Sequence, residues 1–154
     1  MVTVNAADFF VHTDVLDEVT CWRLLARAWV GRVGFTDDDG LAVLPVNCAA
    51  VNQTIVFRTG RETRLYALRS GVPVAFEVDH VDRVAEAGWS VLVRGHLWEV
   101  TDGAEAAVLR DLALHPWVEG VKDRWMKIVP SAVTGRITSR HRAPISGIPY
   151  MPPD

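Results

Sequence analysis

Three short segments of the chain carry groups suited to binding a charged or planar small molecule. In the first, a strand-like run ends at Thr59 and a short helix is predicted to begin near Glu62. Backbone N–H groups at that helix start, the Thr59 hydroxyl and three guanidinium groups suit a phosphate, the arginines being Arg58, Arg61 and Arg64. The alternative is a solvent-exposed polar turn whose charged side chains are only hydrated and bind no ligand. The residues alone leave both interpretations open.

The other two segments lie at a strand start and at a strand end. In Gly88–Val91, Trp89 either packs in the core or forms a wall against a flat ring whose edge bonds to strand amides. In Pro45-Val46-Asn47, a strand ends in an amide side chain that can both donate and accept. Taken by itself, Asn47 is a turn residue. Neither segment identifies a ligand without the other.

Signals for catalysis by side chains alone are weaker. Ser70 and Ser90 stand outside any nucleophile-elbow motif, and GRVG at 31–34 matches no phosphate loop. Glu77 and Asp79 are two apart on a predicted strand, so they share a face. They form either an acid–base pair or part of a solvated surface. We assign no catalytic acid, base or nucleophile.

Composition narrows the class of protein. The 154 residues carry a net charge of −3, which argues against a general nucleic-acid binder. Apolar runs are too short to span a membrane, and the first residues lack the basic start of a signal peptide, so we expect a cytoplasmic protein. Cys21 and Cys48 are expected to be buried and reduced. They and five scattered histidines do not predict a metal site.

Hydrophobic periodicity predicts the elements that position the three segments. An amphipathic helix over 17–28 has Asp17 as its N-cap, and a turn at 37–40 joins the first two strands. The six predicted strands are 32–36, 41–46, 54–59, 72–79, 89–100 and 125–129, and the other helices are 62–69 and 101–115.

Three further sequence features refine these elements. Pro45 indicates an edge or a bend, Gly95 a bulge or a close backbone approach, and Pro130 the end of the last strand. The opening segment to about Thr13 is expected to pack on the body or on a partner chain. The run of strands from 32 to 59 excludes a regular α/β alternation and favours a small β-barrel with peripheral helices.

In order and spacing, these segments resemble the pyridoxamine 5′-phosphate oxidase-like family of FMN-binding split β-barrels, in its nitroimidazole-resistance-type branch. The matching segments after the opening helix are GRVGF (31–35), LPVN (44–47), IVFRTGRETRLYAL (55–68), VPVAFEVD (72–79), GWSVLVRG (88–95) and WMKIVPSAVTGR (125–136). The resemblance implies a mainly β fold, a six-stranded split β-barrel with peripheral α-helices. It implies a single FMN-binding domain over 1–154, with a core at 15–137 and a tail at 138–154.

The resemblance also implies a homodimer with two flavin sites at the subunit interface. The residues that it places along the isoalloxazine are Pro45, Val46 and Asn47. Those placed beside the ribityl chain are Phe57, Arg58 and Thr59. Arg64 would bind the phosphate, with Arg61 as a further candidate, and Trp89 and Ser90 would approach from the other side. Phe9–Val11 and the strand Trp89–Trp98 offer apolar interface material.

The implied activity is an FMN-dependent oxidoreductase, in which a nicotinamide cofactor reduces the flavin and a quinone or nitroaromatic accepts the electrons. The alternative is a non-catalytic protein that binds a flavin, deazaflavin F420 or haem. The tail, TGRITSRHRAPISGIPYMPPD, lacks the basic signature with which pyridoxamine phosphate oxidases hold their substrate, so that reaction is not predicted. His96 is the position that best suits a haem ligand, and the alternative is an ordinary barrel histidine.

Overall fold

The computed structural model describes residues 9–114 and 120–142, which form seven strands and three helices. In chain order these are β1 (Phe9–Leu16), α1 (Glu18–Leu25), β2 (Val30–Asp37), β3 (Gly40–Val51), β4 (Thr54–Thr59), α2 (Arg64–Ala67), β5 (Ser70–Asp82), β6 (Ala87–Glu99), α3 (Gly103–Arg110) and β7 (Arg124–Arg142). Six of the described strands close an antiparallel ring in the order β7-β4-β3-β2-β5-β6, with β6 returning to β7. The predicted split β-barrel with peripheral helices is confirmed.

The last strand is much longer than its sequence signal, and the expectation that Pro130 ends it is wrong. β7 continues to Arg142 because its pairing with β6 shifts register at the proline, which leaves Ser131 as an extra residue. The Ser131 hydroxyl donates to the carbonyl of Arg94 at 3.1 Å, which ties the bulge to the neighbouring strand. A proline is tolerated at such a bulge since no regular ladder bond is lost there.

Two other positions behave as their residue types indicate. A Cβ on Gly95 would lie 2.3 Å from the carbonyl oxygen of Val129, so the expected close backbone approach is confirmed beside the bulge. Pro45 lies in the part of β3 that pairs only with β2, so it occupies a strand edge as expected.

The N-terminal segment and the helices depart from expectation in their lengths. β1 pairs with the end of β7, so the described part of the opening segment packs on the body as a strand that the sequence did not predict. Asp17 caps α1 as predicted: its carboxylate accepts from the Thr20 N–H at 2.7 Å, which lowers the pKa of Asp17. The helix ends at Leu25 rather than at 28.

The boundaries of α3 and of the end of β7 also differ from the predicted ones. α3 covers only part of the helix predicted over 101–115, whose last residue lies outside the described ranges. Residues 138–142, assigned to the tail, belong to β7, and the rest of that tail lies outside the described ranges. No described helix has the length and apolar character needed to cross a membrane.

The barrel interior is filled with apolar side chains. Its largest fully buried members are Phe57, Phe76, Leu25, Ile55, Leu97, Met126 and Ile128. A second, smaller cluster lies under α3 and joins Val56, Val100 and Leu109. Both cysteines are buried and free, as expected, and burial raises the pKa of the Cys48 thiol to about 12.

Candidate functional site

The barrel opens along one edge of β3. Residues Cys48–Val51 pair with β4, whereas Gly40–Asn47 pair only with β2. Because backbone groups of a strand point alternately to its two neighbours, part of the backbone of Gly40–Asn47 faces no other described strand. Pro45, Val46 and Asn47 lie at the end of this open edge, beside the point where β3 and β4 separate. The edge can therefore offer backbone N–H and C=O groups to a ligand.

The opposite wall of this opening is the end of β4 and the turn into α2. The Phe57 side chain is fully buried in the barrel core, so only its backbone is available to a ligand. The Thr59 and Thr63 hydroxyl oxygens lie 2.6 Å apart. Thr63 also donates to the carbonyl of Gly60 and accepts from the Tyr66 N–H as the N-cap of α2.

These contacts assign the proton of the Thr59 hydroxyl. Since Thr63 has a single hydroxyl proton and gives it to Gly60, the bond between the two threonines uses the proton of Thr59. Thr59 thus holds the turn rather than offering a donor to a phosphate. α2 spans four residues, shorter than the helix predicted over 62–69, so the wall depends on side chains more than on a helix terminus.

Each of the three predicted arginines has its own surroundings. Arg64 forms a two-bond ion pair with Asp37, in which its Nη2 lies 2.7 Å from Oδ1. The Nε of Arg61, an exposed residue, lies 3.6 Å from a carboxylate oxygen of Asp123. Arg58 lies over the ring of Trp125 at 5.6 Å. The guanidinium groups therefore meet separate partners rather than one point.

Arg58 also carries a buried donor without a partner. Its Nε is shielded from solvent and has no hydrogen-bond partner among the described residues, although the side chain as a whole is half-buried. An unpaired buried donor is unfavourable, and an acceptor supplied by a ligand would satisfy it. This orphaned N–H belongs to the β4 residue that follows the last pair between β3 and β4, and it fits a bound cofactor with oxygen atoms along this wall.

Trp89 and Ser90 lie in a different part of the barrel. Trp89 is half-buried against the core, and its ring stacks on His80 with 6.3 Å between centroids. Ser90 is exposed and pairs with Asp79 on one side and Arg136 on the other. Both line a groove of about 640 Å³, a volume in the range of ligand sites.

The predicted site residues thus fall into two groups. Arg58 pairs with Trp125 near the start of β7, whereas Ser90 pairs with Arg136, eleven residues further along that strand. At a rise of about 3.3 Å per residue, the path along β7 between them is about 36 Å. The bulge at Ser131 shortens the direct distance, but the two groups lie beside different halves of the strand. One chain does not bring them together.

Three residues considered for chemistry lie on the outer face of the barrel. Glu77 and Asp79 share a face, but both accept from Nη1 of Arg32, at 2.8 and 3.1 Å. They therefore form a solvent-exposed ion-pair network, which agrees with the solvated-surface interpretation and not with an acid–base pair. His96 is an exposed residue on the outer face of β6.

Sequence reasoning missed two charged residues next to the candidate site. Asp37 pairs with Arg64 although 27 positions separate them, and it was predicted only as a turn residue. Arg124 lies opposite Thr59 on β7, and its Nη1 donates to Glu99 at 3.2 Å. The signal that could have indicated this ion pair is an acidic residue at the β2–β3 turn together with a basic residue at the start of α2.

An antiparallel six-stranded barrel that opens along one strand edge defines the class of split β-barrels. A sequence model described as "Pyridoxamine 5'-phosphate oxidase" matches residues 17–137 of the chain. The chain belongs to this family, as its motifs indicated. The matched residues coincide closely with the segment over which the resemblance was expected.

Several known proteins are similar to the chain. The uncharacterized protein Rv0080 of Mycobacterium tuberculosis is 40% identical over 135 residues, which cover 84% of this chain and 88% of that protein. The structure of an FAD binding protein from Mycobacterium smegmatis aligns with a TM-score of 0.68 and 32% identity, covering 80% of this chain and 98% of that one. A candidate 5-nitroimidazole antibiotic resistance protein from Bacteroides thetaiotaomicron has the same fold, with a TM-score of 0.66 and 17% identity over 91% of this chain and 98% of that one.

Proposed function

We propose that the protein is a flavin-binding oxidoreductase that reduces a small planar acceptor with electrons from NAD(P)H. The observation that carries this proposal is the open edge of β3 at Gly40–Asn47 together with the orphaned Nε of Arg58, the β4 residue that follows the last pair between β3 and β4. An unpaired strand edge binds the polar edge of a ring, and buried donors bind the oxygen atoms of a ribityl phosphate chain. The FAD-binding relative supports a flavin as the ligand.

The residues of the chain would then hold and orient the flavin. Backbone groups of Val46 and the side-chain amide of Asn47 meet the polar side of the ring. Pro45 has no backbone N–H, so it adds no donor to this edge. Arg58 and the threonine-stabilised turn lie along the ribityl chain, and Arg64 receives the phosphate. The bound flavin supplies the electron and hydride transfer, so no catalytic acid or base is required of the protein.

The two-group arrangement supports a homodimer with two shared sites. Ligand pockets enclose about 70–90% of their ligand, and the edge of β3 with the end of β4 lines only part of the opening. Trp89 and Ser90 of a second copy would supply a further wall, since they lie too far along β7 to do so within one chain. Val11 and Trp98 are 64% and 44% exposed and offer apolar contact area for such a dimer.

FMN is the cofactor that we propose, and FAD is the alternative that the relative from Mycobacterium smegmatis favours. The two share the isoalloxazine, the ribityl chain and the first phosphate, which are the parts that the residues above would contact. A non-catalytic carrier or sensor of a flavin is the second candidate function. Because the flavin itself carries out the redox chemistry, a flavoenzyme and a flavin carrier can have the same set of binding residues.

An absorbance spectrum of the purified protein tests the proposal. We expect flavin bands near about 450 nm, and release and chromatography of the cofactor then distinguish FMN from FAD. A single band near about 420 nm would indicate F420 instead, and an intense band near about 400 nm would indicate haem. Either result would overturn the flavin proposal.

Turnover distinguishes the enzyme from the carrier. The flavin is reduced with NAD(P)H in the absence of oxygen and then mixed with a quinone or a nitroaromatic. We expect reoxidation by the organic acceptor to be faster than reoxidation by oxygen. Equal or slower reoxidation would favour the carrier, and a measured monomer mass in light scattering would contradict the shared site.

A further inference from the structure

The ion pair between Asp37 and Arg64 has a particular geometry. Asp37 is the last residue of β2, and Arg64 is the first residue of α2. The guanidinium donates to the carboxylate through Nε and Nη2, so the carboxylate contacts it from the side. The flat group also lies over the Phe35 ring, 5.4 Å from its centroid. Two directional bonds and one cation–π contact therefore fix its orientation.

This orientation leaves a second set of donors available. A guanidinium has five N–H groups, and the carboxylate uses one on Nε and one on Nη2. The two on Nη1 and the remaining one on Nη2 are not used by Asp37. One donor from each of these nitrogens forms the end-on fork that binds the oxygen atoms of a phosphate. Arg64 can therefore bind Asp37 and a phosphate at the same time.

Asp37 is itself held in place by the turn that follows it. Its Oδ1 accepts the Asp39 N–H at 3.0 Å, and its backbone pairs with Gly40, whose φ of +101° closes the hairpin. The side chain of Asp37 is 16% exposed, against 43% for Arg64. The carboxylate is thus the fixed member of the pair, and the longer arginine side chain is the one that it orients. The Arg64 guanidinium lowers the pKa of Asp37, which keeps the carboxylate charged at neutral pH.

We propose that Asp37 is a positioning residue that fixes the end-on donors of Arg64 towards the phosphate of the bound flavin. The inference deepens the proposed function and rests on it. Without Asp37, the Arg64 side chain would sample several conformations in the free protein. Its ordering would then cost conformational entropy each time a ligand binds. Outer partners that orient a binding group typically change affinity by 10- to 100-fold in metal sites, and we expect about a tenfold effect here.

Titration of the apoprotein with FMN and with riboflavin tests this role. The two ligands differ only in the phosphate, and quenching of flavin fluorescence reports both dissociation constants. Asp37→Asn removes the charge but keeps an oxygen for the Asp39 N–H, so the turn is retained. Asp38→Asn is the matched control, because it makes the same charge change one residue away at an exposed position. We expect Asp37→Asn to weaken FMN about tenfold and to leave riboflavin unchanged, whereas Asp38→Asn changes neither.

A double-mutant cycle shows whether the effect passes through Arg64. We expect Asp37→Asn to have no further effect on FMN affinity in an Arg64→Ala background. Equal weakening of FMN and riboflavin, unchanged FMN affinity, or tighter FMN binding after loss of the negative charge would each overturn the inference. Failure of the wild-type protein to bind either flavin would instead overturn the proposed function. Thermal unfolding of every variant identifies any that do not fold, and Asp37→Ser then replaces Asp37→Asn.

Discussion

A flavin site shared between two subunits predicts that two inactive variants restore one site when they are combined. Arg64 belongs to the group at the β3–β4 opening, and Ser90 belongs to the group beside the second half of β7. Arg64→Ala removes the proposed phosphate ligand and is expected to weaken FMN binding by about 10- to 150-fold. Ser90→Phe places a bulky ring at an exposed strand position, which is expected to block the second wall without disturbing the core.

The geometry fixes the outcome for a mixed dimer of these two variants. If each site takes Arg64 from one copy and Ser90 from the other, one site of the mixed dimer carries both substitutions and the other carries neither. We therefore expect one flavin bound per dimer with wild-type affinity. If both residues served a site within one chain, every site of the mixed dimer would carry one substitution, and no wild-type site would remain. The path of about 36 Å along β7 makes the first outcome the expected one.

Co-expression of the two variants with different affinity tags, followed by purification on both tags, yields the mixed dimer. Fluorescence titration then gives the number of tight sites per dimer. Each variant purified alone is the control and should lack a tight site, and Arg27→Ala, an exposed arginine after α1, should retain both. A mixed dimer without a wild-type site, or a protein that stays monomeric with flavin bound, would refute the reasoning.

Three further predictions concern the barrel and the reaction. Gly95→Ala should destabilise the protein by about 1–3 kcal/mol or more in urea denaturation, because its Cβ would meet the Val129 carbonyl, whereas Gly34→Ala, with neighbours at 3.8 Å, should be nearly neutral. Burial raises the pKa of the Cys48 thiol from 9.0 to about 12. The contribution of this thiol to the free energy of unfolding is therefore complete below pH 9 and is lost as the pH rises towards 12. The wild type should therefore lose more unfolding free energy than Cys48→Ala between pH 9 and 11, and equal losses would contradict this. Pyridoxal 5′-phosphate should not form from pyridoxamine 5′-phosphate under oxygen, because the C-terminal sequence lacks the basic signature with which pyridoxamine phosphate oxidases hold their substrate; robust product absorbance would contradict this.

The ring strands could be predicted because their signals are local. The strand predicted over 54–59 coincides with β4, and the turn at 37–40 closes the hairpin between β2 and β3. Alternating apolar residues and a polar turn are read within a few positions, so no knowledge of the partner strand is required. Asp17 was found for the same reason, since an N-cap acts on the residues directly after it.

Features that depend on distant partners were missed or misjudged. β1 was not predicted because its partner, the end of β7, lies more than a hundred residues away. β7 was predicted to end at Pro130 because the bulge that accommodates the proline depends on the pairing with β6. The burial of Phe57 shows the same limit: its strand was predicted, but the face of the strand that fills the barrel follows from closure of the ring.

The candidate site combines both kinds of information. The arginines after β4 were found as a local pattern, but their partners are a carboxylate from another hairpin, a tryptophan on β7 and an exposed aspartate. Asp37 shows why the pattern alone was ambiguous between a phosphate site and a solvated turn. The same residue ends a strand, closes a turn through the Asp39 N–H and holds Arg64 from the side. A local turn signal thus supplies the fixed charge of a long-range pair, and only the closed barrel brings that charge to the helix that the sequence had identified on its own.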